Sequence, residues 1–153
     1  MKVKLDDLLE SLEFTNESHT SFLNKFTGEI HLIPDELKLY VEQEEFDENE
    51  LPEWEKEILL LYKDITARPE NYTELPDSFY IDMYSIMERF ILSLRDVKIR
   101  NQIYYEIKGT GAFRRFREAI EKFGILDEWY RYKDQALRET AIVWCAENGL
   151  EYY

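Results

Sequence analysis

The segment Lys108-Gly109-Thr110-Gly111-Ala112-Phe113-Arg114-Arg115 combines the groups that can hold an anion. Its glycines let a ligand approach the backbone closely, and Lys108, Arg114 and Arg115 can donate charge-assisted hydrogen bonds. A helix opening at Thr110 and Gly111 would aim free N–H groups and the positive end of its dipole at the same place. The chemistry would be binding of a phosphate or carboxylate by Lys108, Thr110, Gly111, Arg114 and Arg115. The spacing is not that of a P-loop, which needs four residues between glycines and then Lys-Ser or Lys-Thr, and no strand precedes it as a dinucleotide fingerprint requires. A structural reading uses the same residues. Gly109 stops one helix, Thr110 caps the next, and the arginines pair with nearby carboxylates.

The same region could contact nucleic acid. Residues 95–117 carry seven basic and two acidic side chains in a chain of net charge −14. Lys98, Arg100, Lys108, Arg114, Arg115 and Arg117 alternate with Tyr104, Tyr105, Phe113 and Phe116. Cations track phosphates, and exposed rings stack on bases. Phe113 and Phe116, however, fall on the stripe expected to face the core, and the overall charge repels a polyanion. Nucleic acid is therefore not the expected partner.

Charge of the opposite sign collects between Glu42 and Glu57, with nine carboxylates and one lysine. Glu44, Glu45, Glu48 and Glu50 could dock a basic protein partner, since clustered carboxylates steer association. Alternatively, residues 42–51 form a solvated, mobile acidic loop. No metal is expected, because Asp47-Glu48-Asn49-Glu50 lacks the glycine and the later glutamate of a calcium loop. His19 and His31 flank a predicted hairpin in which His31 faces Phe22, so they do not pair as ligands. The lone Cys145 can form neither an internal disulfide nor a thiolate cage, and near a helix C-terminus it reads as a packing residue. No nucleophile-elbow or zinc-protease motif is present, and no cofactor is implied.

These residues must be positioned by local elements. Leu5, Leu8, Leu9 and Leu12 predict a helix over about residues 5–13. Residues 21–24 and 29–33 flank Lys25-Phe26-Thr27-Gly28, the signature of a hairpin closed by a left-handed glycine, and Pro34 ends its second strand. Leu37, Tyr40 and Val41 allow a helical turn or two. Pro52 starts a helix with the stripe Trp54, Ile58, Leu61 and Ile65, and residues 72–75 could add a short third strand. The rest reads as helical. Asp82 caps a helix with Tyr84, Met87, Ile91 and Leu94 inward, and Asp96 caps one carrying Ile99, Ile103 and Ile107. Phe113, Phe116, Ile120 and Phe123 mark the next, stopped at Gly124. The last helix, about 127–148, ends before Gly149 with Trp129, Tyr132, Lys133, Ala136, Leu137, Thr140, Ala141 and Trp144 on one face. Tyr130 points elsewhere, with Tyr152 and Tyr153 in the tail. Core packing is the ordinary role of these aromatics, and a partner-binding patch is the functional one.

The fold class is thus α+β and mainly α: a short N-terminal antiparallel hairpin packed on a C-terminal helical body, in one domain over residues 1–153. The 153 residues are enough for a core without disulfide or metal. The opening Met1 to Asp7 turns acidic before any apolar run, unlike a signal peptide, and Ile58 to Tyr62 is too short an apolar run to span a bilayer. A cytoplasmic, non-membrane protein is expected.

Several segments carry a resemblance. Thr27-Gly28-Glu29-Ile30, Ile86-Met87-Glu88-Arg89-Phe90, Gly111-Ala112-Phe113-Arg114-Arg115-Phe116, Glu128-Trp129-Tyr130-Arg131-Tyr132 and the run Ala136 to Cys145 occur in order. Together they resemble the bacterial uncharacterised protein family numbered 0158, from about Leu5 to Leu150. The resemblance implies a bacterial cytoplasmic protein and a single intact domain. It implies no substrate, cofactor or catalytic residue. The expectation from the residues is a non-enzymatic interaction or regulatory protein. The alternative is an anion-, nucleotide- or RNA-binding protein, or an enzyme on a phosphorylated ligand, working through Gly111, Arg114 and Arg115.

Overall fold

The computed structural model describes residues 1–13, 18–43, 48–77 and 81–153. The chain divides into two compact units, residues 1–80 with 141–153, and residues 81–140. The fold is α+β and mainly helical.

In the first unit, β1 (Lys2–Val3) leads into α1 (Leu5–Glu13), whose Leu5, Leu8, Leu9 and Leu12 are all buried. The hairpin joins β2 (His19–Asn24) to β3 (Ile30–Pro34), with Phe22 opposite His31 and His19 opposite Pro34, the register expected from the turn. The Asn24 side-chain oxygen accepts from the amides of Phe26 at 2.8 Å and Thr27 at 3.2 Å. Gly28, at φ 78°, donates to the Asn24 carbonyl. That asparagine turns the chain, and the left-handed glycine closes the loop. After α2 (Asp35–Glu42) and a 3-10 turn at Glu48–Glu50 comes α3 (Glu53–Ala67). β4 (Tyr72–Glu74) then pairs antiparallel with β2, giving a sheet of order β3-β2-β4.

The sheet packs on α3. Ile33, Ile65 and Tyr72 form a buried cluster joined by Phe22, Ile58, Leu61 and Tyr62. One expectation is corrected here. Trp54 is 58% exposed, and the buried positions of α3 are Leu59 and Ile65. The helix also packs on α2, so its apolar arc is wider than one stripe and leaves the first turn outside. Of the acidic run, Glu42 ends α2 and Glu50 is exposed in the 3-10 turn. Glu44, Glu45 and the Glu48 side chain lie outside the described residues.

The second unit is built from α4 (Met83–Ser93), α5 (Val97–Glu106), α6 (Ala112–Lys122) and the first part of α7 (Leu126–Glu147). The Asp82 carboxylate accepts from the Ser85 amide, and that of Asp96 accepts from Lys98 and Ile99, so both caps form as expected. Gly124 stops α6, with the Ile125 amide reaching back to the Ile120 carbonyl. α4 buries Ile86, Met87, Phe90 and Ile91. Tyr84, expected inward, is exposed instead, and Leu94 is only half-buried.

From Ala141 onward α7 belongs to the first unit. Ala141, Trp144 and Cys145 are buried there, and the Leu150 amide closes the helix end on the Cys145 carbonyl across Gly149. β5 (Glu151–Tyr152) then pairs parallel with β1, and the Tyr153 amide donates to Val3 at 2.9 Å. No sequence signal marks this pairing, since two-residue strands have no periodicity to read.

Candidate functional site

The basic corner is built by the end of α5 and the start of α6. Ile107 is the last residue held to α5, and the chain then turns through two left-handed glycines, Gly109 at φ 81° and Gly111 at φ 79°. The side chain of Arg115 reaches back over the turn. Its Nε donates to the Glu106 carbonyl at 2.6 Å, Nη2 to Lys108 at 2.6 Å and Gly109 at 3.5 Å, and Nη1 to Thr110 at 2.5 Å. A helix C-terminus leaves carbonyls unpaired and carries a partial negative charge. The planar guanidinium presents five donors in a fixed fork, so it caps that end as no other side chain could. Gly111 is needed for the same reason: a Cβ there would lie 3.3 Å from Arg115 Nη1, in a backbone conformation that disfavours side chains.

The corner therefore brings Lys108, Thr110, Gly111 and Arg115 together, but around an internal bond set. Arg115 pairs with backbone carbonyls rather than with the carboxylates expected for it. Thr110 does not cap α6. The helix opens from Gly111, without a side-chain cap, and the threonine hydroxyl sits one position too early. Lys108 is exposed with Nζ 5.6 Å from the Tyr104 ring centroid, and Arg114 is exposed.

The face of α6 differs from the expected one in a consequential way. Ala112, Phe116, Ala119 and Ile120 are buried, whereas Phe113 is 52% exposed. Its ring stands edge-on to Tyr84 at 6.4 Å, and the Tyr84 hydroxyl donates to the Ile107 carbonyl. Phe113 opens a cleft of about 240 Å³ in the second unit. On α6 the cleft is lined by Phe113, Phe116, Arg117 and Ile120, and on α7 by Leu126, Trp129, Tyr130 and Lys133, with Met83 beside them. Both helices contribute an i, i+3, i+4, i+7 stripe, the spacing of one helix face. Phe116, Ile120 and Trp129 are buried and make the floor, while Tyr130, 41% exposed, forms a wall. Lys133 Nζ lies 5.2 Å from the Tyr130 ring centroid, and Arg117 pairs with Glu121 at 3.4 Å. The stripe on residues 126, 129, 130 and 133 was readable in the sequence. It was obscured because Trp129 and Lys133 also belong to the longer core stripe of α7.

The first unit has a larger polar cleft of about 570 Å³, with Lys4, Asp7, Glu29 and His31 among its lining. Two pairs form there, Lys4 with Asp7 at 3.7 Å and the His31 ring with Glu29 at 3.8 Å, and Lys2 and Glu10 line it as well. Nearby in sequence, Lys38 donates to Thr20 Oγ1 and to Asp35 at 3.1 Å, and the Thr20 hydroxyl donates to Asp35 at 3.1 Å. Burial works to raise the Asp35 pKa, but the bonds from Lys38 and Thr20 and the charges of Lys38 and His19 outweigh it and leave it lowered. A lowered folded-state pKa stabilises above the unfolded value of about 3.9 and is lost as pH falls through the folded value. Asp35→Asn is expected to flatten the acid limb of the stability–pH curve. At neutral pH it should cost under about 1 kcal/mol, since the carboxylate is solvated; urea titrations at a series of pH values measure both.

Cys145 is buried, and burial pushes its thiol pKa up, which suits the packing role expected of it. Among the described residues no three His, Cys, Asp or Glu side chains gather as metal ligands, and no helix is long and apolar enough to cross a membrane.

A family model described as "Uncharacterised protein family (UPF0158)" matches residues 1–153. The chain is also similar to the UPF0158 protein PA5073 of Pseudomonas aeruginosa, at 22% identity over 152 residues, covering 99% of this chain and 86% of the relative. No solved structure matches it.

Proposed function

The chain belongs to the uncharacterised protein family UPF0158, and from that premise we propose that it is a non-enzymatic cytoplasmic interaction protein that docks a partner protein on the cleft between α6 and α7. The observation that carries this reading is the placement of Phe113. A large apolar ring stands half in solvent at the mouth of an aromatic-floored cleft, with Tyr130 as the facing wall. Aromatic side chains around a desolvated pocket, with cations at the rim, are the composition of binding hot spots. Arg115 supports the same reading from the other side. Its donors are engaged by four backbone carbonyls, which favours a role for Arg115 in the fold over one in holding a free anion.

Affinity capture from lysate tests the proposal with three baits. These are the intact chain, Phe113→Ala/Tyr130→Ala, and a chain with Glu44, Glu45, Glu48 and Glu50 changed to Gln. The cleft reading expects a partner held by the first and third baits and lost from the second. Identical captures on all three, or no partner on any, would reject it. Loss only from the third would move docking to the acidic stretch.

A further inference from the structure

Resting on the docking reading above, we infer that the cleft takes one apolar side chain of an acidic protein segment, with the flanking carboxylates meeting Arg117 and Lys133. Size comes first. At about 240 Å³ the cleft is smaller than the roughly 300–1,000 Å³ typical of small-molecule and cofactor sites. It suits a protruding side chain better than a nucleotide. The floor of Phe116, Ile120 and Trp129 offers such a side chain no hydrogen-bonding partner apart from the indole N–H, so the inserted group should be apolar.

The rim sets the sign of the flanks. Among the described residues, Lys133 and Arg117 are the charged side chains lining this cleft, and both are cationic. Arg117 shares its charge with Glu121, but that pair is well exposed on both sides, which leaves guanidinium donors for a second carboxylate. The whole chain carries −14, which would repel a uniformly acidic partner. Salt screens that repulsion beyond about 8 Å, whereas the rim acts at contact. The partner is therefore a protein with a short acidic segment around an apolar anchor, not a polyanion. Stacked bases fit poorly. Of the rings lining the cleft, Phe116 and Trp129 are buried, Phe113 is edge-on to Tyr84, and Tyr130 has Lys133 Nζ 5.2 Å from its centroid, which leaves little ring face to a base.

Panning a displayed random peptide library against the intact chain at physiological salt tests the inference. The enriched peptides should carry Asp or Glu beside Leu, Ile, Phe or Trp. A synthetic peptide of that consensus should lose at least about tenfold in affinity against Phe113→Ala or Tyr130→Ala, the scale of an interface hot spot. Against Arg117→Glu/Lys133→Glu the preference should turn toward basic flanks, with circular dichroism unchanged in every variant. No enrichment, a basic or uncharged consensus, or binding that ignores these substitutions would overturn the inference. So would an RNA oligonucleotide whose binding needs Phe113. If capture from lysate still depends on Phe113 and Tyr130 while panning fails, docking stands and the acidic-anchor inference falls. If capture fails as well, the docking reading itself is lost.

Discussion

Phe90→Ala is expected to lower the folding free energy by about 3–5 kcal/mol, the cost of removing a buried phenylalanine and leaving a cavity. Phe90 is 3% exposed and sits among three other rings: Trp129 at 5.3 Å, Tyr132 at 5.4 Å and Phe116 at 6.1 Å between centroids. Phe116 also meets Trp129 at 4.9 Å, nearly perpendicular. Rings held edge-on or tilted by one another cannot collapse into the gap as aliphatic chains would, so the upper part of the range applies. Truncation would also withdraw support from Phe116 and Trp129, the floor of the docking cleft. Urea unfolding followed by circular dichroism measures the loss. A change below about 1 kcal/mol would mean that the aromatic cluster does not organise the second unit, since buried aromatic truncations elsewhere cost several times that.

Arg115→Ala is expected to cost about 2–3 kcal/mol, because hydrogen bonds from a charged donor are worth roughly 1.5–3 kcal/mol each when buried and less at a partly wet corner such as this. Four carbonyls lose their donor together, and the end of α5 loses its cation. Lysine has the charge but not the fork, so Arg115→Lys should recover less than half. Amide exchange should quicken across the last turn of α5 and the Lys108–Gly111 turn in both variants, and it should stay unchanged in the β2–β3 hairpin of the first unit. An anion-binding Arg115 gives the opposite pattern. Stability in plain buffer would survive the substitution, and added phosphate would stabilise only the parent chain.

Much of this architecture was legible in the residues because it is governed by short-range rules. A leucine at 5, 8, 9 and 12 has one helical face to occupy, and all four are buried. The hairpin register follows from a four-residue loop and its glycine, which is why His31 faces Phe22. Asp82 and Asp96 cap because a carboxylate before a helix bonds amides two or three residues on, whatever surrounds it. The C-terminal segments from Gly111 to Cys145 likewise carry the family resemblance in their residue types and order.

What the fold alone decided involves partners far apart in the chain. Periodicity told which residues of α6 share a face. Only packing settled that Phe116 lies under it and Phe113 at its uncovered edge, while α4 buries Phe90 and leaves Tyr84 outside. Arg115 found its carbonyls through the path of two left-handed glycines, and β1 met β5 from opposite ends of the chain. A stripe defines an angle around a helix axis. How much of that angle is covered depends on the neighbours that arrive, and their arrival is a property of the folded chain as a whole.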